Sequence, residues 1–189
     1  MIEAAAAIAL RDGLDKVTAK RVAAVLGVRP GLVDHYFSAD QLVAAAFAHA
    51  ASAERNEVFD EAESVPDPVA GLKRLMAAWL EPDHDEFSLL WLDAWQASRA
   101  RPALHAAVSE QMVVWQQRVA DLIAAGVADG VFRNDDPLGA ATRLMAVVDG
   151  LSVHAAMGSP VDYAVVRQLV IDSTERELGL RRGELEPRT

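Results

Sequence analysis

Residues 18–37 read Thr18-Ala-Lys-Arg-Val-Ala-Ala-Val-Leu-Gly27-Val-Arg-Pro30-Gly-Leu-Val-Asp-His-Tyr-Phe37, two short helical patterns around a Leu26-Gly27-Val28 turn. The Thr18 hydroxyl can accept a backbone N–H as N-cap of the first helix, Gly27 can take the left-handed conformation that closes it, and Pro30 suits the first turn of the second. Val22, Ala23, Val25 and Leu26 give the first helix an apolar side, which predicts a close crossing with another helix and leaves Lys20 and Arg21 facing outward. In the second, Val33 and Phe37 are the expected buried anchors. Arg29, Pro30, Gly31, Leu32, Asp34, His35 and Tyr36 then face out. This is the layout of a helix-turn-helix, whose second helix enters the major groove of duplex DNA.

The rest of the chain suits a helical protein. With 189 residues, 52% of them hydrophobic, it can bury a substantial core. There are no cysteines, so neither disulfides nor thiolate metal sites contribute, as befits a reducing compartment. The first ten residues are apolar but carry Glu3 and lead into Arg11-Asp12 without a basic stretch before them, which reads as a helix and not a signal peptide. No apolar run approaches the roughly 20 residues needed to span a bilayer. The expectation is a soluble, cytoplasmic protein with no membrane partner. The net charge is −10, yet in residues 1–50 the five cations Arg11, Lys16, Lys20, Arg21 and Arg29 balance the five acids Glu3, Asp12, Asp15, Asp34 and Asp40. The whole deficit therefore lies in residues 51–189. Such an acidic body would be held off phosphates, leaving a neutral head to touch DNA with modest non-specific affinity.

Ser38-Ala-Asp-Gln41 has the form of a capping box and opens a long helix to about residue 63, linking head to body. Ser64-Val-Pro-Asp-Pro68 breaks it. Further helices are expected over about 67–80, ended by Glu81-Pro82-Asp83, over 85–100, and from Arg101-Pro102 to about 129. Gly130 and Asn134-Asp-Asp-Pro137 precede a last pair, about 137–157 and 161–178, joined by Gly158-Ser-Pro160. Leu144, Met145, Val148, Leu151, Val165, Val166, Leu169 and Val170 give this pair wide apolar coverage, which calls for a second partner surface. The tail 181–189 reads as frayed and exposed.

Taken together, Ile2-Glu-Ala-Ala, Thr18, Val22-Ala-Ala, Gly27-Val28, Gly31, Tyr36-Phe37 and Leu42-Val-Ala-Ala resemble the N-terminal domain of the tetracycline-repressor (TetR) family of bacterial regulators. The resemblance implies an all-α fold: a three-helix helix-turn-helix DNA-binding head over residues 1–46, and an antiparallel ligand-binding and dimerisation body over 47–189. It implies a ligand-responsive repressor that binds a palindromic operator as a homodimer, paired through helices 137–157 and 161–178, with half-sites roughly 34–36 Å apart. Thr18, Lys20, Arg21, Arg29, Pro30, Gly31, Leu32, Asp34, His35 and Tyr36 fall at its DNA-binding positions. Gly31 and Leu32 would meet base edges, Leu32 through a thymine methyl, and His35 and Tyr36 would meet phosphates.

Three positions depart from the family pattern. Arg29 stands where a capping Ser is frequent, exchanging a cap for a cation. Asp34 replaces a frequent Tyr; it could accept from cytosine N4 or serve a local hydrogen bond. Asp40 replaces a phosphate-binding Lys, where a favourable interaction with the helix dipole is its simplest role. The sequence also starts almost at the first helix, without the basic arm that many relatives place ahead of it, so fewer phosphate contacts and a shallower salt dependence are expected. A ligand-binding or protein-interaction dimer of the same ancestry that no longer binds DNA is the alternative.

In the body, the four tryptophans Trp79, Trp91, Trp95 and Trp115 occur with Met76, Phe87, Met112, Met145 and His154 at helical spacings. They suit either core packing or an apolar ligand cavity between helices. Phe87-Ser-Leu-Leu-Trp-Leu-Asp-Ala-Trp95, Arg101-Pro-Ala-Leu104 and Val148-Asp-Gly-Leu151 are similar to the choline-responsive BetI-like subgroup. Asp93 and Asp149 lie in otherwise apolar helices. They could pair with Arg99 or Arg143, or hold a cationic ligand beside tryptophan faces. An unidentified small-molecule effector is expected and no cofactor. Enzyme signatures are missing: His35, His49, His84, His105 and His154 lack metal-ligand spacing, and His84 among Asp83, Asp85 and Glu86 reads as a solvated turn.

Overall fold

The computed structural model describes residues 1–80, 85–157 and 162–186. Among them the secondary structure is entirely helical: α1 (Ile2–Asp12), a single 3-10 turn (Leu14–Lys16), α2 (Ala19–Leu26), α3 (Pro30–Tyr36), α4 (Ala39–Glu63), α5 (Pro68–Leu80), α6 (Asp85–Ser98), α7 (Pro102–Ala128), α8 (Pro137–Ala156) and α9 (Tyr163–Glu177). The expected stop at Glu81-Pro82-Asp83, the turn at His84, the Gly158-Ser159-Pro160 linker, the helix start at Val161 and the last three residues lie outside the described residues.

Local chemistry sets the helix ends. Thr18 Oγ1 accepts from the Arg21 amide at 3.3 Å, and Gly27, at φ 68 and ψ 27, closes α2 in the left-handed conformation. Pro30 opens α3, whose N-cap Arg29 supplies no side-chain bond. The Ser38 and Gln41 pair bonds reciprocally, Gln41 N to Ser38 Oγ at 3.3 Å and Ser38 N to Gln41 Oε1 at 3.0 Å. Later helices use aspartates in the same role: Asp67 accepts from Val69 N, Asp136 from Gly139 N and Asp162 from Ala164 N.

The chain forms two compact units. The first comprises Met1–Arg55 and Glu86–Val113; the second draws its described residues from Asn56 to Asp85 and from Val114 onward. The long helices α4 and α7 thus contribute to both, and the expected boundary near residue 46 falls inside α4. In the first unit Ala5, Ile8, Leu14, Val22, Val33, Leu42 and Phe47 share one core with Leu90, Ala94, Leu104 and Val108 of α6 and α7. The second buries Phe59, Leu72, Leu75, Ile123, Phe132, Leu144, Leu151 and Leu178.

Several expectations are corrected. Val25 and Leu26 are exposed, because α2 has only two turns and its inward side is made by Val22 and Ala23, with Ala19 packed beside them. Phe37 is half-buried, leaving Val33 as the fully buried anchor of α3. Arg21 does not simply face outward: its guanidinium pairs with Asp12 at 2.5 Å. The tail is not frayed over residues 181–186. Leu185 is buried, and the buried Glu175 carboxylate accepts from Gly183 N at 2.9 Å and Leu185 N at 2.8 Å. A carboxylate removed from water needs such donors, and the returning backbone supplies them.

Candidate functional site

Val33 fixes how α3 presents itself. At 3.6 residues per turn, its burial places Gly31 and His35 on the opposite side, with Leu32 and Asp34 on the two flanks. A side chain built on Gly31 would meet nothing within 4 Å, so that backbone is open to a close approach. Leu32 and Tyr36 are exposed, and the His35 and Tyr36 rings stand edge to face with centroids 5.1 Å apart. Thr18, Lys20, Arg29, Pro30, Asp34 and His35 are exposed as well. Arg21 is the exception. It joins Arg11 on Asp12, whose carboxyl is held below its ordinary range chiefly by the Arg11 hydrogen bond, with the Arg21 charge adding to it. Asp34 makes no hydrogen bond or ion pair with any described residue.

Asp40 has a partner that sequence reasoning missed. Its Oδ2 accepts from Ala103 N at 2.9 Å, so it caps α7 from the first turn of α4. Its other oxygen is buried without a donor. Further along the same two helices, Gln111 Oε1 accepts from Arg55 and from Ser52, at 2.5 and 3.2 Å. These bonds join residues 56 to 63 positions apart in the chain, beyond the reach of any local pattern.

The eleven residues expected at a ligand site divide between the two units. In the first, Phe87, Trp91 and Trp95 lie along α6 and pack against the head core. Trp91 meets Phe47 edge to face at 5.0 Å and Trp95 at 5.7 Å, and its indole N–H points to Glu54 at 3.5 Å. Asp93 lies against the turn after α1: a Cβ on Gly13 would sit 3.2 Å from its carboxylate. Met112 is exposed. In the second unit, Trp115 gathers Phe59 at 5.6 Å and Trp79 at 6.3 Å, and Met76 is buried. The Trp115 indole N–H is buried with no acceptor. Phe59 and Arg118, whose guanidinium lies 4.5 Å over the Phe59 ring and pairs with Glu63 at 2.7 Å, were not foreseen, since the end of α4 read only as a connector.

Met145 and Asp149 are half-buried on α8, and His154 is exposed. Arg143, an expected partner for an interior aspartate, instead pairs with Glu177 through two 2.8 Å bonds. Arg99 bonds neither Asp93 nor Asp149, and among the described residues no cation within ion-pair distance compensates Asp149. Burial alone pushes its carboxyl up to about 6. Among the described residues no three His, Asp or Glu side chains gather as a metal site, and no helix is long and apolar enough to cross a membrane.

Among the described residues an N-terminal helix-turn-helix precedes a helical body, the all-α architecture shared by TetR-type transcriptional regulators. The description "BetI-type transcriptional repressor, C-terminal" matches residues 68–179, more than half of the sequence, and the chain belongs to this branch of the TetR family. Solved structures agree in fold. A TetR-family transcriptional regulator from Rhodococcus sp. superposes with a TM-score of 0.78 at 23% identity, covering 94% of this chain and 95% of that one. A transcriptional regulator from Saccharomonospora viridis in complex with choline gives 0.75 at 25% identity, with 94% of each chain covered. A TetR regulator from Haloarcula marismortui gives 0.76 at 19% identity over 93% and 94%. No curated protein matches the chain in sequence.

Proposed function

We propose that this regulator is a ligand-responsive repressor that binds a palindromic operator as a homodimer, with residues 1–46 reading DNA and residues 47–189 carrying effector binding and dimerisation. The observation that carries DNA binding is α3 itself: a two-turn helix anchored by one fully buried residue, Val33, with the rest of its surface open. Arg29 supplies an exposed cation at its N-cap, and Lys20 another on α2. For dimerisation, Leu138, Thr142, Ala146, Gly150 and Val153 form one uncovered, mostly apolar stripe along α8, Met157 just past its end is exposed as well, and the neighbouring α9 leaves Val165 and Leu169 exposed. A second copy of the same stripe would bury it in a four-helix contact.

The effector is assigned to the second unit, to the surroundings of Met76, Trp79, Trp115, Met145 and Asp149. An uncompensated, desolvated carboxylate favours an organic cation, and the choline complex of the Saccharomonospora viridis relative supports that chemistry. Phe87, Trp91 and Trp95 then serve the head core instead of the ligand. Coupling of about 1–3 kcal/mol would travel along α4, which starts at the capping box after α3 and continues into the second unit. A cytoplasmic setting fits this role.

Selection of bound duplexes from a randomised library at low salt tests the reading. A palindrome with half-sites about one helical turn apart is the expected product. The neutral head and the withdrawal of Arg21 onto Asp12 favour one alternative, a ligand-binding dimer that has lost DNA binding. A folded dimer that enriches no sequence would establish it.

A further inference from the structure

Asp34 is the only acidic side chain on α3, and nothing in the fold accounts for it. It is exposed, it flanks the outward face, and no donor or cation among the described residues holds its carboxylate. A local structural role would require such a donor. The cations of the helix-turn-helix leave it alone: Arg21 is bound to Asp12, while Lys20 and Arg29 form no ion pair with it. A bare carboxylate on a surface that approaches phosphates is unfavourable unless it meets a hydrogen-bond donor there, because an ionised carboxylate only accepts.

The major groove offers few such donors. Cytosine presents its N4 amino group and adenine its N6, whereas guanine shows only the acceptors N7 and O6. The remainder of α3 sharpens the choice. It carries no Arg, Lys, Asn or Gln, so it holds none of the bidentate readers of guanine or adenine. Leu32, on the opposite flank, has no polar atom beyond its backbone and suits a thymine methyl.

We propose that Asp34 is the specificity-determining residue of this head: it selects cytosine by accepting from the N4 amino group and rejects guanine by placing a carboxylate against two acceptors. This rests on the DNA-binding reading above.

The test uses the full chain. Duplexes are selected with the wild type, then with Asp34→Ala and Asp34→Asn, each checked for wild-type melting. The wild type is expected to enrich one C·G pair, cytosine on the read strand, at a symmetric position in each half-site. Reversing that pair should weaken binding about tenfold or more. Asp34→Ala should lose the preference at that position alone and bind random duplex more tightly, since a repulsion is gone. Asp34→Asn should shift the preference to adenine, which a structural role would not produce. Unchanged preferences in Asp34→Ala, or adenine or guanine selected by the wild type, overturn the proposal while leaving DNA binding intact. No enrichment by any folded form overturns the DNA-binding reading, and this proposal with it.

Discussion

Asp149 is ionised at neutral pH at a cost that no cation among the described residues offsets. Burial raises its folded-state pKa from 3.8 to about 6, so the folded chain binds this proton more tightly than the unfolded one. Its contribution to stability therefore falls as pH rises from about 4 to 6 and stays low above that window. Removing the charge should help: Asp149→Asn is expected to stabilise the protein by about 2 kcal/mol at pH 7.5, after a discount for residual solvent contact, and by progressively less toward pH 4. Melting both forms across that range checks the sign. An organic cation at this carboxylate would pull its pKa back down, so effector affinity should weaken as pH drops below 6. Which such residues can be read from sequence follows from distance along the chain. Thr18 with Arg21, Gly27 and Ser38 with Gln41 have their partners within a turn, and the structure agrees with all three. Asp40 and Asp93 were open questions because Ala103 and Gly13 lie 63 and 80 positions away.

Helix ends and helix crossings are where single substitutions should act most strongly. Asp40→Ala removes an N-cap from a 27-residue helix and should cost about 1 kcal/mol, with faster amide hydrogen exchange confined to the first turn of α7; Asp40→Asn retains an acceptor and should lose less. Gly126 is a second sensitive point. A Cβ there would lie 2.2 Å from the buried Phe132 ring, which is held in the second unit's core. Gly126→Ala should destabilise by about 1–3 kcal/mol in denaturant titrations, although alanine is the better helix former. Helix order and most helix ends were readable from periodicity and capping residues. The true apolar side of α2 was not, since Val25 and Leu26 fit the pattern yet have no neighbour to meet.

For the whole molecule, the uncovered α8 and α9 stripe is the feature most open to test. Leu169 is exposed on α9, so Leu169→Arg should leave helicity and melting of the monomer intact while abolishing the dimer in sedimentation. A variant that still sediments as a dimer would place the contact elsewhere. The two-unit organisation was hidden from sequence because periodicity shows that a helix has an apolar side but not which distant segment covers it. Here Leu90, Ala94, Leu104 and Val108 complete the core around Val22, Val33 and Phe47. Specificity in this fold is therefore a poor candidate for cut-and-paste engineering. A cassette ending at residue 46 and spliced onto a foreign body would arrive with seven of the twenty side chains of its oil-facing wall missing, and a working chimera would have to carry residues 47–55 and 86–113 of the donor as well.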